Sequence, residues 1–243
     1  MNTRNFVTLL LLSLLAFTRP ASAQTMLLHV DRAVDSLPQR TGPNLSRFSH
    51  LYVQAGFVAG PDEAGARIKY GNSMDFAIGF RKKYKLGSLY SFGWELELRG
   101  MNYRLVQDSA KVVPNNFQND RERLSLSVVQ VGVYQRINFD PLRGNHMGTY
   151  LDLGVSAGYQ VLQNNVRNKL PDGSVVNASI TKVPYDNNFG AMLNARIGRG
   201  HVALYGSWRL TDVFKSSYSF PELPRLTVGL EISYLSQKSC SEG

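Results

Sequence analysis

The sequence of 243 residues contains a single cysteine, Cys240, and four histidines. One cysteine cannot form an intramolecular disulfide, so the fold does not depend on a disulfide framework. The histidines, His29, His50, His146 and His201, are scattered along the chain without the spacing of a metal-binding motif. No calcium-loop spacing occurs either. The sequence therefore predicts no metal and no cofactor.

Long hydrophobic runs are missing after residue 23, since no apolar stretch reaches the roughly 18 residues that a membrane-spanning helix requires. The start of the chain differs from the rest. A hydrophobic stretch from Phe6 to Phe17 follows Arg4, and small residues ending at Ala23 come after it. This pattern predicts a secretory signal peptide at residues 1–23, cleaved after Ala23, with an N-terminal membrane anchor as the alternative.

Acidic residues are in the minority: the sequence contains 18 Asp and Glu but 27 Lys and Arg, and its formal net charge is +9. A basic balance is compatible with nucleic-acid binding, but an exported chain rarely meets nucleic acid. Anionic lipid headgroups are the expected counterpart. We therefore predict outer-membrane lipids among the partners of this chain, and no nucleic acid.

Apolar and polar residues alternate with a period of two in eight segments. In "SFGWELELRG", residues 91–100, Phe92 and Trp94 fall on one side of an extended chain, and Glu95 and Arg99 fall on the other. The Gly, Pro, Asn and Asp residues between such segments are typical of the turns of a sheet. The predicted strands cover residues 50–59, 73–82, 89–104, 122–138, 148–162, 188–198, 201–211 and 224–235.

The connections between these segments alternate between short and long, which places all short turns at one end of an antiparallel sheet and all long loops at the other. Outer-membrane barrels show this asymmetry. We therefore predict an all-β fold, an eight-stranded antiparallel up-and-down transmembrane β-barrel over residues 50–235. A periplasmic lead-in at 24–49 precedes it, and a tail at 236–243 follows it. The longest loop, 163–187, is expected to form a twisted hairpin above the membrane.

One face of the predicted strands is apolar, and the other carries charges and many glycines. Acids and arginines are equal in number on the second face, as expected for ion pairs confined to a narrow lumen with glycines beside long side chains. We therefore predict a salt-bridged, largely closed lumen. Its predicted charge network consists of Asp75, Arg81, Glu95, Glu97, Arg99, Arg136, Asp152, Arg196, Arg209 and Glu231. The apolar phase changes at Val128–Val129 in the fourth strand, which predicts a β-bulge there.

Aromatic residues cluster toward the strand ends and predict two girdles at the membrane interfaces. One girdle, at the short-turn end, would contain Phe80, Tyr84, Tyr90, Phe92, Phe139, Tyr150 and Tyr234. The other would contain Phe57, Tyr103, Tyr159, Phe189 and Trp208.

The stretch "GFRKKYKLG" places Lys82, Lys83 and Lys85 near one short turn. We predict that these lysines form a basic rim on the periplasmic side. The rim has two interpretations, anchoring to inner-leaflet phosphates and docking of an acidic envelope protein.

The last predicted strand contains "TVGLEISY", with Gly229, Ile232 and Tyr234 in a polar-x-Gly-x-x-apolar-x-aromatic pattern. With the leader and the eight amphipathic strands, this chain resembles, over residues 50–235, the small porin-like outer-membrane β-barrel proteins of the Bacteroidota type, the PorT-like or "outer membrane protein beta-barrel domain" proteins. The resemblance implies a Gram-negative outer-membrane location and an assembly signal that is recognised by the barrel-assembly machinery. The family usually ends near the aromatic residue, whereas this chain continues to Gly243.

We predict a non-enzymatic structural or partner-binding component that acts through its extracellular loops or its periplasmic rim. One alternative is a narrow channel or an accessory of transport or secretion, and another is a soluble periplasmic barrel with its faces reversed. A lipid A-modifying enzyme would need a base near its nucleophile at the outer leaflet, but His50, His146 and His201 fall at the short-turn end. Glu95 and Glu97 could form an acid/base pair, but the neighbouring arginines favour a structural network.

Overall fold

A computed structural model describes residues 42–181 and 183–234. The predicted signal peptide, most of the predicted lead-in and the predicted tail lie outside these residues. The strands are β1 (Arg47–Ala59), β2 (Met74–Lys85), β3 (Tyr90–Arg104), β4 (Arg121–Asn138), β5 (Thr149–Lys169), β6 (Val175–Thr181), β7 (Phe189–Arg199), β8 (Val202–Arg209) and β9 (Leu226–Tyr234), with short 3₁₀ helices at Tyr70–Asn72 and Ser216–Tyr218. Within the described ranges no helix has the length and apolar character needed to cross a membrane.

Eight of these strands close into an antiparallel barrel. Each of β1, β2, β3, β4, β5, β7, β8 and β9 pairs with the next in that order, and β9 returns to pair with β1. The closing pair runs from Leu51 opposite Tyr234 to Ala59 opposite Leu226. Because every barrel strand has two neighbours, no barrel strand is left as a free edge. The predicted eight-stranded antiparallel barrel is confirmed.

Short and long connections alternate around the barrel as predicted. The short ones join β2 to β3, β4 to β5 and β7 to β8 at one end, and the long ones join the remaining pairs at the other. The tightest turn contains Gly200, whose φ of +62° lies in the left-handed region that favours glycine. The predicted hairpin is also present, because β5 continues past the barrel and pairs with β6 over residues 163–169 and 175–181.

The β-bulge predicted in the fourth strand is absent. β4 pairs in a uniform register with both neighbours, with Val128 opposite Arg99 and Val129 opposite Leu98. Its side chains alternate between buried and exposed from one end to the other. The prediction was wrong because it assumed a polar inner face along the whole strand, whereas this inner face becomes apolar toward the long-loop end.

The two faces of the barrel have opposite polarity. Phe57, Val131 and Leu204 on the outer face are 51%, 58% and 61% exposed, whereas Arg81 and Glu231 on the inner face are 0% exposed. The same contrast recurs on every barrel strand, since outward apolar residues alternate with buried inward ones. The charged face therefore lines the interior.

The interior is apolar at its long-loop end. There the long connections fold inward and pack on inward-facing strand residues, forming what we call the loop-end core. The predicted lumen, which contained only polar residues and glycines, was therefore incomplete. The loop-end core consists of Val58, Ala66, Ile68, Met101, Tyr103, Leu105, Val113, Leu124, Leu126, Val128, Leu162, Val183, Met192, Val213, Phe214 and Leu223.

Candidate functional site

The centre of the barrel contains four charged side chains from four strands, which we call the central ion cluster. Arg81 donates from Nη1 to Oε1 of Glu231 at 2.7 Å and from Nε to Oε2 of Glu95 at 3.1 Å. Arg196 donates from Nη2 to Oε1 of Glu95 at 2.6 Å, and its Nε lies 3.3 Å from Oε2 of Glu231. Two cations therefore alternate with two anions, and the cluster has no formal net charge.

A second set of buried ion pairs adjoins the central ion cluster. Arg99 donates from Nε to Oε1 of Glu97 at 2.8 Å and from Nη2 to Oε1 of Gln54 at 2.6 Å, and its Nη1 lies 3.3 Å from Oδ2 of Asp75. The Gln54 amide in turn donates to Glu231 at 2.8 Å. Gln54 thus joins the two sets into one network, in which each charge has a partner.

A third ion pair lies toward the short-turn end. Arg136 donates from Nε and Nη2 to the two carboxylate oxygens of Asp152 at 2.6 and 2.7 Å. Its guanidinium carbon lies 3.7 Å from the centre of the Tyr150 ring. The same ring belongs to a buried apolar cluster with Phe48, Met147 and Ala203. This cluster closes the short-turn end of the interior, as the loop-end core closes the other.

Arg209 has a partner that the sequence analysis missed. Its Nη2 donates to Glu222, which lies in the connection between β8 and β9, and to the Leu223 carbonyl at 2.9 Å. Glu222 also accepts the Val213 backbone N–H at 3.1 Å. Burial raises the pKa of the Glu222 carboxyl, and the Arg209 guanidinium opposes that rise. The period-two pattern covers only strands, so it could not identify an acid that enters the barrel from a loop.

The structure separates one of the predicted rim lysines, Lys82, from the other two. Lys83 points into the barrel mouth, where its ammonium donates to the Pro43 carbonyl. Lys85 donates to Asn44 at 2.9 and 3.0 Å. Only Lys82 points outward, as its position between two inward-facing neighbours on β2 requires. Alternation along β2 therefore places Lys82 on the opposite face from Lys83 and Lys85, which contact the neighbouring residues Pro43 and Asn44.

Several glycines of the inner face lie opposite tyrosines. A Cβ on Gly79 would lie 2.7 Å from Cε1 of Tyr52, closer than side-chain packing allows. The glycine therefore leaves the space that the ring fills. Three cross-strand pairs have this contact between a glycine position and a tyrosine ring, Tyr52–Gly79, Tyr134–Gly93 and Tyr150–Gly198.

The predicted assembly signal lies on β9, which pairs with β1 on one side and with β8 on the other. Ile232 and Tyr234 are exposed on the outer face, and Gly229 is the cross-strand partner of Tyr205. A Cβ on Gly229 would meet the backbone of β1, so closure of the barrel accounts for this glycine without reference to any signal.

The predicted aromatic girdles require two corrections. Tyr103 and Tyr150 are buried inside the barrel, because their positions on β3 and β5 face inward. Other members are exposed on the outer face, and some of them pair there. Phe80 lies 5.7 Å from Trp94, and the Tyr84 and Phe92 rings are stacked at 5.3 Å.

Glu95 and Glu97, which the sequence analysis weighed as an acid/base pair, both belong to the buried network. Glu95 binds two arginines, and Glu97 accepts hydrogen bonds from the Tyr52 hydroxyl and the Gln130 amide, both at 2.7 Å. In the part of the chain that the structure describes, no three His, Cys, Asp or Glu side chains form a group that could hold a metal ion.

No family model matches this chain, and no curated protein matches it.

Proposed function

We propose that this chain is a bacterial outer-membrane β-barrel that is exported through a cleaved signal peptide, has no enzymatic activity and acts as a structural or partner-binding component of the membrane. The observation that carries the proposal is the polarity of the barrel. A belt of apolar side chains covers its outer face, while paired arginines and acids fill its centre. Monomeric soluble proteins rarely expose contiguous apolar patches above a few hundred Å².

The closed sheet also supports a membrane location. In a hydrocarbon environment every backbone N–H and C=O group needs a partner within the protein, and a closed barrel supplies one to each. The strand pairings around this barrel are continuous and return to β1. An open sheet would present an unpaired edge to lipid at a cost of several kcal/mol for each unsatisfied group.

The filled interior supports a structural or binding role over transport. Ion pairs fill the middle of the barrel, and buried apolar clusters lie toward both ends of it. Recognition is therefore assigned to the surface. The hairpin of β5 and β6 extends beyond the barrel, its outer strand has a free edge, and Val176 and Ile180 on that strand are exposed. Loops and edges held on a rigid scaffold are common binding surfaces.

The membrane location is tested by refolding the mature chain into lipid vesicles and comparing its gel migration before and after heating. We expect the unheated protein to migrate differently from the heated protein, because a folded barrel resists the gel detergent. Recovery of the folded protein in the aqueous phase without detergent would instead support a soluble barrel and overturn the proposal.

The binding role is tested by purifying the protein in detergent from its native envelope. We expect an envelope protein to co-purify with the wild-type chain, and to be lost when Val176 and Ile180 are both replaced by lysine. The matched control replaces Leu86 and Leu142 by lysine, since these exposed residues lie at the short-turn end. A partner that is retained by the hairpin variant and lost by the control would assign recognition to the periplasmic side.

A further inference from the structure

Four arginines lie together on the outer face of the barrel at its long-loop end. Arg104 is the last residue of β3, Arg121 and Arg123 begin β4, and Arg167 lies in the extended part of β5. Arg104 is the cross-strand partner of Arg123, and Arg121 is the partner of Arg167. Like charges directly opposite each other destabilise a sheet. Two such pairs side by side therefore favour an anion that lies between them.

No acid neutralises these four arginines within the described ranges 42–181 and 183–234, where their guanidinium groups form neither ion pairs nor hydrogen bonds. Glu122 borders the same region, but its carboxylate is buried and paired with Lys111. Most other arginines of the described chain do have acidic partners. These are Arg67, Arg81, Arg99, Arg136, Arg196, Arg209 and Arg225.

The four arginines line a surface groove with a cavity volume of about 490 Å³. The lining begins at Met74 on β2, crosses β3, β4 and β5, and ends at Asn177 and Ser179 on β6. The hairpin of β5 and β6 therefore contributes one side of the groove. We call this feature the arginine groove.

A ladder of side-chain hydrogen bonds crosses the same outer face next to the arginines. Ser125 donates to Asn102 at 2.8 Å, Asn165 donates to Ser125 at 3.3 Å, and Ser179 donates to Asn165 at 2.9 Å. The ladder links β3, β4, β5 and β6 through their side chains. It fixes the spacing of the strands that carry the arginines, so the arginine groove is a preformed surface.

The height of the arginine groove on the barrel identifies its ligand. On β4 the outward apolar series ends at Val129, serines follow at 127 and 125, and Arg123 comes next. Six residues of strand correspond to about 20 Å along β4. With a strand tilt of about 45°, Arg123 lies roughly 14 Å above Val129, the last outward apolar residue of β4. That level is beyond the hydrocarbon and matches phosphorylated sugars better than the headgroup of a simple phospholipid.

We propose that the arginine groove binds the phosphate groups of a glycolipid in the outer leaflet, an inference that rests on the outer-membrane location proposed above. The guanidinium group is planar and presents paired N–H donors that match phosphate oxygens, and it stays charged at any physiological pH. Four such groups facing each other in pairs supply the cationic side of the contact. The exposed side chain of Met74, which lines the same groove, contacts an acyl chain of the same lipid.

The test uses the full mature chain, refolded in an uncharged detergent, and measures lipid binding by native mass spectrometry. The probes are diphosphoryl lipid A, the same lipid after enzymatic removal of its phosphates, phosphatidylglycerol and inorganic phosphate. The variant carries Arg123→Gln and Arg167→Gln. Its matched control carries Arg47→Gln and Arg199→Gln, two exposed residues whose replacement removes the same charge from the short-turn end.

We expect the dissociation constant for diphosphoryl lipid A to rise at least about tenfold in the Arg123/Arg167 variant and to stay unchanged in the control, because each lost contact is a charge-assisted hydrogen bond. Dephosphorylated lipid A is expected to bind the wild type at least about tenfold more weakly, for the same reason.

Wild-type affinity in the Arg123/Arg167 variant would overturn the inference, as would equal affinity of the wild type for phosphatidylglycerol or inorganic phosphate. Heat-modifiable migration of the wild type is measured first. If that shift is absent, the proposed membrane location fails. If it is present and lipid A binding is unaffected by the substitutions, only the arginine groove is refuted.

Discussion

The replacement Glu231→Gln tests the pairing of charges inside the barrel. In the wild type, Glu231 accepts hydrogen bonds from Arg81 at 2.7 and 3.0 Å and from Gln54 at 2.8 Å. The substitution leaves two buried cations, Arg81 and Arg196, facing the single carboxylate of Glu95. Breaking a buried pair by removing one partner costs about 3 to 5 kcal/mol, and we expect the free energy of unfolding to fall by that amount.

The assay is equilibrium unfolding in urea of the barrel refolded in vesicles, followed by the fluorescence of Trp94 and Trp208 on the outer face. Adding Arg196→Gln leaves one cation, Arg81, facing one anion, Glu95. The free energy of unfolding of the double variant should therefore fall by less than the sum of the two single losses, with a difference of about 1 kcal/mol or more. The control is Asp212→Asn, which breaks a solvent-exposed pair with Arg225 and should cost at most about 1 kcal/mol. If Glu231→Gln costs no more than this control, buried charge pairing does not stabilise the barrel.

Three further predictions concern the filled interior. Gly79→Val should lower the free energy of unfolding by about 1 to 3 kcal/mol because its side chain would overlap the Tyr52 ring. Gly100→Val on the outer face, where an added Cβ meets no atom within 4 Å, should be nearly neutral in the same urea assay. Phe214→Ala should lower the free energy of unfolding by about 3 to 5 kcal/mol if the loop-end core is one packed unit. Limited proteolysis should then cleave the long loops of this variant faster than those of the wild type. Unchanged cleavage would argue against such packing. In planar bilayers the wild type should show no stepwise conductance, because side chains fill the lumen, and a steady single-channel current would contradict the closed interior.

The strand pattern predicted the barrel well because alternation is a local property of the chain. Residues such as Trp94 and Glu95 are neighbours in sequence and face opposite sides whatever the rest of the protein does. The same local rule places all ten members of the predicted charge network on the inner face of the sheet.

Partner choice could not be predicted, because it depends on which strands and loops meet across the lumen. Arg209 pairs with Glu222 from a loop, and Lys83 reaches the Pro43 carbonyl near the start of the described chain. The missing β-bulge has the same origin. Leu124 and Leu126 face inward because the long connections cover them with apolar residues, and nothing within β4 itself encodes that cover.

The arginine groove illustrates a different limit. Arg104, Arg121, Arg123 and Arg167 belong to three strands, and in the sequence they are four unremarkable polar positions near strand ends. Only the register of β3, β4 and β5 makes them two adjacent pairs of like charge.

The closing pair of β1 and β9 also imposes an order on biogenesis. Glu231 is made 150 residues after Arg81, on the final strand, and until it arrives Arg81 and Arg196 have only Glu95 between them. A chain whose last strand is still missing therefore has both an unpaired edge on β1 and an excess positive charge inside its unfinished sheet. With the outer-membrane location proposed above, both the unpaired edge and the excess charge disfavour insertion of the first seven barrel strands into lipid without the eighth, and the barrel is expected to insert as a whole.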